Sequence, residues 1–254
     1  MITVDLNADL GEGFGAWTMG DDAALLDVVT TANVACGFHA GDPDVMARTF
    51  RLARQKGVAV GAHPGYPDLQ GFGRRPMGLA EREIEHLVAY QIGAAAALAT
   101  LAGHRLTHVK AHGALANAAA SEAGIAGAIA RAVRAVDRDL VFLAIAGSEQ
   151  VRAGEAAGLA TVAEIFADRG YDEAGQLVRR GLPGALIADP EEAAARALAM
   201  VDEGALITVS GRRLPTPIGS ICVHGDSPHA VAAARRLAER LGAAGITLAA
   251  FAGR

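Results

Sequence analysis

Read at the two-residue period of a β-strand, Asp5, Asn7 and Asp9 share one face, with Val4 and Leu6 on the other. His108, Lys110 and His112 alternate in the same way with Val109 and Ala111, and Cys222, His224 and Asp226 with Ile221 and Val223. Asn33 with His39, His63 and Glu164 fall at or just beyond the ends of three further apolar runs. Carboxylates, imidazoles and an ammonium placed this way can move protons, neutralise an oxyanion or hold a divalent ion. Alone, each has a bland reading: Asp5 or Asn7 as a turn or cap, Glu164 as a structural partner of Arg169, a histidine as a hydrogen-bonded strand residue. His86 and His104, in helical surroundings, take that reading. Five histidines at predicted strand ends (His39, His63, His108, His112 and His224) do not. Burying so many polar groups without purpose is costly, so a shared pocket is expected.

Glycine-rich turns follow these runs: Gly11-Glu12-Gly13, the segment from Cys36 to Asp42, and Gly71-Phe72-Gly73-Arg74-Arg75. Glycine there allows positive φ and a close backbone approach to a ligand. Gly41-Asp42-Pro43 also presents backbone N–H groups at a helix start, a seat for a carboxylate or phosphate. Of 23 basic residues only Lys56 and Lys110 are lysines. Lys56 precedes Gly57 at a predicted helix end, where a cation suits the dipole; Lys110 has no such explanation. No P-loop, no GxGxxG after the first strand, no GxSxG elbow and no HExxH occurs. The Asp/His supply could hold a divalent ion, but the spacing specifies no ligand set, and no residue is assigned to a metal.

The elements that must position these groups alternate along the chain. Strands are predicted at Ile2–Asn7, Thr31–Cys36, Val58–Ala62, Leu106–Ala111, Leu140–Ile145, Ala160–Ile165 and Ser220–His224, with a hairpin formed by Ala205–Ser210 and Arg213–Thr216. Asp42-Pro43, Asp189-Pro190 and Ser227-Pro228 each place a capping side chain before a proline at a helix start. The stretch Ala80–Ala102 carries Ile84, Leu87, Val88 and Gln91 at helical spacing. This alternation implies parallel strands with helical crossovers. Polar side chains at so many strand ends favour a closed barrel, whose strand ends converge on one mouth, over an open sheet. One domain spanning residues 1–254 is expected, since no linker or composition break divides the chain.

Composition sets the class. The 254 residues are 52% hydrophobic and 20% charged, a globular balance, and only 4% aromatic, so helix packing through Ala, Leu and Val is expected to dominate the core. A net charge of −5 gives no field for nucleic acid or an anionic membrane. Asp5 and Asp9 interrupt any N-terminal signal core, and the most apolar stretch, Ile92 to Ala102, is too short to span a bilayer. Cys36 and Cys222 make no disulfide framework and read as small buried apolar side chains. A cytoplasmic protein is expected.

Six segments together carry a resemblance. They are Asp5–Glu12, Asn33–Asp42, Gly61–Asp68 with Gly71–Arg75, His108–Leu115, Phe166–Tyr171 and Ile221–Asp226. The chain resembles the LamB/YcsF family, the A subunit of the prokaryotic ATP-dependent 5-oxoprolinase, from its first strand to its last. The resemblance implies a distorted seven-stranded parallel (βα) barrel, TIM-like, of the glycoside hydrolase/deacetylase superfamily. It also implies opening of 5-oxo-L-proline to L-glutamate coupled to ATP hydrolysis, with ATP as co-substrate alongside Mg2+, and subunits B and C as partners. Self-association into a homo-oligomer and a bound divalent metal are left open. Where relatives carry Lys-Pro-His-Gly-Ala-Leu-Tyr-Asn, this chain has Ala111 and Ala116, and a Pro-Arg-Ser segment reads Arg179-Arg180-Gly181. On this basis Asp9 or Glu12 is expected as general base, Lys110 as partner of the lactam oxygen or a phosphate, and His112 in catalysis. Asn7, His39, His63, Glu164, His224 and Asp226 are expected to bind or orient, with Arg74, Arg75 or Arg169 clamping the substrate carboxylate. Two other readings stand beside it: a metal-dependent deacetylase-like hydrolase, and a non-catalytic binding or scaffold subunit.

Overall fold

A computed structural model describes residues 2–224 and 230–251. The strands are β1 (Thr3–Leu10), β2 (Thr31–Ala35), β3 (Ala59–His63), β4 (Leu106–Val109), β5 (Val141–Ile145), β6 (Thr161–Phe166), β7 (Ala205–Ile207), β8 (Arg213–Pro215), β9 (Ser220–Val223) and β10 (Thr247–Leu248). The helices are α1 (Asp22–Leu25), α2 (Pro43–Lys56), α3 (Glu81–Leu101), α4 (Gly113–Ser121), α5 (Ala123–Val136), α6 (Glu149–Ala156), α7 (Pro190–Glu203) and α8 (Ala230–Ala243). Strands β1 to β6 and β9 pair in parallel in that order, and β9 returns to β1 to close a seven-stranded barrel. That is the architecture expected from the strand-end polar residues. The hairpin β7–β8 is antiparallel, as expected, though shorter than the predicted runs.

Most ends of the barrel strands fall within one residue of expectation; two differ by more, and one strand was not expected. Strand β1 continues to Leu10, three residues past the predicted Asn7, because Asn7 to Leu10 pair with Thr31 to Val34 and the polar ones among them find partners inside the barrel. Strand β4 ends at Val109, although the Lys110 amide still donates to the Ala62 carbonyl at 3.0 Å. Strand β10, which pairs with the start of β1, has only two residues and no pattern to announce it. The predicted helix start at Ser227-Pro228 and the site residue Asp226 lie outside the described residues.

The outer face of the barrel and the helix layer share an apolar core. Asp42 caps α2 through the Asp44 and Val45 amides, both at 2.9 Å, and Asp189 caps α7 through Glu191. Gly57 and Gly204, both left-handed, end these helices. Helix α3 is 21 residues long and apolar enough to cross a bilayer by length and composition, longer than the predicted apolar stretch. It packs instead between α2 and α5, burying Ile84, Val88, Ile92, Ala95 and Ala99 against the barrel. The small side chains of Ala126, Ala130 and Ala132 let α5 approach closely, which is how a chain so poor in aromatics closes its core.

The barrel interior is polar, and its groups satisfy one another in layers. At the base, Asp5 accepts from Thr31 Oγ1 at 3.0 Å and from the hydroxyls of Thr30 and Ser220. One layer up, Asn7 donates to Ser220 Oγ at 2.8 Å and Glu164 Oε2 at 3.3 Å. Asn33 donates to Asn7 Oδ1 at 2.8 Å and Asp9 Oδ1 at 2.9 Å, while His108 Nε2 lies 2.8 Å from Asn33 Oδ1. Gly61 makes room for that imidazole: a Cβ there would lie 2.6 Å from His108 Cε1 and closer still to Cδ2 and Nε2.

Candidate active site

Lys110 reaches inward just past the end of β4 and lies at the centre of the mouth. Its ammonium donates to Asp9 Oδ1 at 2.9 Å, Cys222 Sγ at 3.0 Å and Asn7 Oδ1 at 3.2 Å, and lies 3.2 Å from Glu164 Oε2. Burial opposes its charge, but Asp9, Cys222 and Glu164 overcome that and raise its pKa well above the ordinary lysine value. Asp9 answers in kind: burial pushes its carboxyl up, and His63 with Lys110 pull it well below the usual range. Glu164 goes the other way. Burial dominates, Lys110 offsets it only in part, and its pKa is raised. Lys110 and Asp9 are therefore an ion pair, and Glu164 takes up a proton more readily than Asp9.

Two loops bring a second group beside this pair. The Gly41 amide donates to the Gly13 carbonyl at 2.8 Å, tying the turn that carries His39 to the turn that carries Glu12. Gly41 has φ +77°, and a Cβ there would lie 2.7 Å from the Ala35 carbonyl oxygen, so the tie needs glycine. The His112 amide donates to the Pro64 carbonyl at 2.8 Å and the Ala114 amide to the Gly73 carbonyl at 2.9 Å. His39 and His112 stack with centroids 3.7 Å apart, and His63 meets both edge-on. Burial, helped by neighbouring imidazoles, holds His39 and His112 well below the ordinary histidine value. Glu12, His39, His63 and His112 each offer one donor atom within 4.8 Å of the others, a group that could hold a divalent ion. A second such group is Asp9, Cys222 and His224.

A cavity of about 260 Å³ opens over Lys110 and Asp9. Glu12, His63, His112 and His224 line it, and Arg74, Arg169, Arg179 and Arg180 add positive charge. His224 stacks on Phe166 and its Nδ1 lies 2.9 Å from both oxygens of Asp168. Burial raises the Asp168 carboxyl, but His224 outweighs it and the net shift is downward. Nδ1 is committed to the carboxylate, so Nε2 is the nitrogen left to take a proton.

The expected site residues therefore fall into distinct places. Asp9, Glu12, His63, Arg74, Lys110, His112, Arg169 and His224 line the cavity. Asn7 and Glu164 lie one layer beneath it and hold Lys110. His39 stands behind His112. Arg75 is not brought in: its side chain is 64% exposed and forks onto Asp68, because the turn after Gly71 aims it away from the mouth. Arg169 does not bridge to Glu164; its Nε and Nη2 donate to the Ala185 and Val178 carbonyls, leaving Nη1. His108 sits below the mouth, on Asn33. Asp168, Arg179 and Arg180 carried no assigned role in the sequence. The signal for Asp168 was its place two residues past the end of β6, in the same segment as Arg169.

The LamB/YcsF family model matches residues 4–254. Over 252 residues the chain is 60% identical to the A subunit of 5-oxoprolinase from Azorhizobium caulinodans, a match that covers 99% of this chain and 100% of that one. The crystal structure of the Lactam Utilization Protein from Thermus thermophilus superposes with a TM-score of 0.92 at 45% identity, covering 98% of this chain and 100% of that one. The T48 deacetylase superposes with a TM-score of 0.51 at 16% identity over 98% of this chain and 87% of that one, a likeness of fold alone.

Proposed function

The chain belongs to the LamB/YcsF family, and we propose that it serves as the A subunit of an ATP-dependent 5-oxoprolinase, opening 5-oxo-L-proline to L-glutamate. The observation that carries this reading is the buried Lys110–Asp9 pair at the floor of a small, arginine-rimmed cavity. Its relatives are named for that enzyme. The cavity is below the ~300–1,000 Å³ of sites for drug-sized ligands, and its arginines suit a compact carboxylate.

A lactam is a poor electrophile with a poor leaving group. Transfer of the γ-phosphoryl group of ATP to the lactam oxygen, with ADP leaving, remedies both faults. Water then adds to the ring carbon, the C–N bond breaks to leave the free amine and an acyl phosphate, and a second water cleaves that acyl phosphate to the side-chain carboxylate of glutamate and inorganic phosphate. In this scheme Arg74 and the remaining Nη1 of Arg169 take the substrate carboxylate, with Arg179 and Arg180 beside them. Lys110 sits where it neutralises the lactam oxygen or the phosphate on it. The sequence pattern pointed to Asp9 or Glu12 as the base. Asp9, held low by His63 and Lys110, is a weak proton acceptor and better suited to anchoring the ammonium. The imidazole of His224, oriented by Asp168, has the base-and-orienter geometry that proton abstraction from water requires. His63 and His112 complete the wall and orient what binds. ATP, with Mg2+, enters as phosphoryl donor in the complex with subunits B and C.

The test is glutamate and phosphate formation from 5-oxoproline, ATP and magnesium, measured with this chain alone and with subunits B and C added. Turnover only in the complete mixture supports the reading. Robust coupled turnover by this chain alone defeats the need for partners. Hydrolysis without ATP defeats the mechanism and favours a simple hydrolase.

A further inference from the structure

With every ring neutral, the ring nitrogens of the histidine group beside Lys110 are not all satisfied by protein. His63 Nδ1 lies 2.8 Å from the Lys110 carbonyl oxygen, and His112 Nε2 lies 2.8 Å from the Phe72 carbonyl oxygen. A carbonyl oxygen only accepts, so each of those nitrogens carries the hydrogen. In the neutral rings the other two nitrogens, His63 Nε2 and His112 Nδ1, then present lone pairs and face each other at 3.1 Å, and Asp9 Oδ2, a third acceptor, lies 3.3 Å from His63 Nε2. Acceptors at these distances need something positive between or beside them. His39 sharpens the point: it is fully buried, and neither of its ring nitrogens has a hydrogen-bond partner. Its stack on His112 sets the two rings' edges beside one carboxylate oxygen, with Glu12 Oε1 3.6 Å from His39 Nε2 and 3.7 Å from His112 Nδ1.

We propose that Glu12, His39, His63 and His112 form a binding site for one divalent first-row transition ion of the zinc type. Three imidazoles and a carboxylate are the donor set such ions take, and the group contains no thiol that would favour a softer metal. Bonds of about 2.0–2.1 Å in a tetrahedron place neighbouring donors about 3.3–3.4 Å apart. Three of the six donor separations, 3.1, 3.6 and 3.7 Å, bracket that value and all six lie within 4.8 Å, while the His39 and His112 rings, 4° from parallel, must tilt toward each other for both lone pairs to meet one ion. The Lys110 and Phe72 carbonyls supply what ligating histidines use on their far side, an acceptor that fixes tautomer and ring direction. Close backbone holds the rings as well: a Cβ on Gly65 would lie 2.6 Å from His39 Nδ1, and one on Gly73 would lie 2.7 Å from His39 Cβ and 2.8 Å from His112 Cδ2. The site stands on these contacts and is independent of which reaction the cavity performs.

The rival explanations are a proton shared within the histidine group, and an ion held instead by Asp9, Cys222 and His224. The full chain, stripped with a chelator, is dialysed to equilibrium against Zn2+, and separately loaded with Co2+ for its absorption spectrum. The expected result is one ion per folded chain, visible cobalt bands of a four- or five-coordinate centre, and no sulfur-to-cobalt charge-transfer band. Glu12→Gln, which keeps size and polarity, is expected to weaken binding by about tenfold or more, as is His39→Gln, while Cys222→Ser leaves it unchanged. Absence of a stoichiometric ion on chain that retains its native circular dichroism overturns the proposal in favour of a shared proton. A sulfur-to-cobalt band, or loss of binding in Cys222→Ser with Glu12→Gln unaffected, overturns it in favour of the other group.

Discussion

Replacing Lys110 by Met removes a charge that four groups depend on. The ammonium contacts Asp9, Asn7, Cys222 and Glu164, all within 3.2 Å. Removing one partner of a buried ion pair costs about 3–5 kcal/mol, because the other charge is left uncompensated. Here the loss is cushioned, since Glu164 is already shifted upward by burial and takes up a proton when Lys110 goes. Asp9 keeps Asn33 as a donor at 2.9 Å. A net loss near the lower end, about 3 kcal/mol, is expected. Against a total of about 5–15 kcal/mol the variant still folds, and for a chain of this size its melting temperature falls by roughly 6–12 °C. Turnover in the reconstituted complex is expected to fall at least about tenfold, equivalent to about 1.4 kcal/mol of barrier. The double variant Lys110→Met/Glu164→Gln separates the two effects. Removing the stranded acid restores about 1 kcal/mol or more of stability, while turnover stays low because the cavity still lacks its cation. Thermal unfolding by circular dichroism and glutamate release by the complex are the two measurements. Near-normal turnover by folded Lys110→Met refutes the catalytic role. A double variant no more stable than the single one refutes the electrostatic account.

Three further outcomes are expected. Asp168→Asn leaves the fold intact but frees the His224 tautomer, so turnover of the complex falls at least about tenfold and its pH profile shifts; an unchanged profile removes His224 as the base. Burial, with Lys110, depresses His108 from 6.5 to about 3. Its neutral form is therefore favoured in the folded chain, its contribution is fully present above about pH 6.5, and it is lost as pH falls toward 3. Between pH 7 and 5 this one group costs about 2 kcal/mol, so urea midpoints of His108→Gln vary less over that interval than those of the parent; equal slopes contradict the linkage. Gly61→Ala puts a methyl group against the His108 ring, and a destabilisation of about 1–3 kcal/mol is expected from overpacking, read as a lower urea midpoint; a neutral result means the ring can move.

The sequence alone determined the parts whose pattern is local. Period-two alternation in Val4–Asp9 and His108–His112, and Asp-Pro caps before α2 and α7, depend only on neighbours in the chain, and they were legible together with the barrel they build. The inward polar face also marked Asp9, Lys110, His63 and His224 as one constellation, because a parallel barrel brings its strand ends to a single mouth. Tertiary structure alone decided the rest. Arg74 and Arg75 are adjacent and chemically alike, yet one lines the cavity and the other forks onto Asp68, since a turn containing Gly71 and Gly73 aims them apart. Whether Asp9 or Glu164 stays charged follows from burial and from distances to one ammonium, which spacing does not encode. The meeting of Glu12, His39, His63 and His112 arises where four separate segments cross, held by contacts such as Gly41 to Gly13 and His112 to Pro64. Their donor geometry is a property of side chains remote in sequence, and closure of the barrel is what brings them within bonding range of one another.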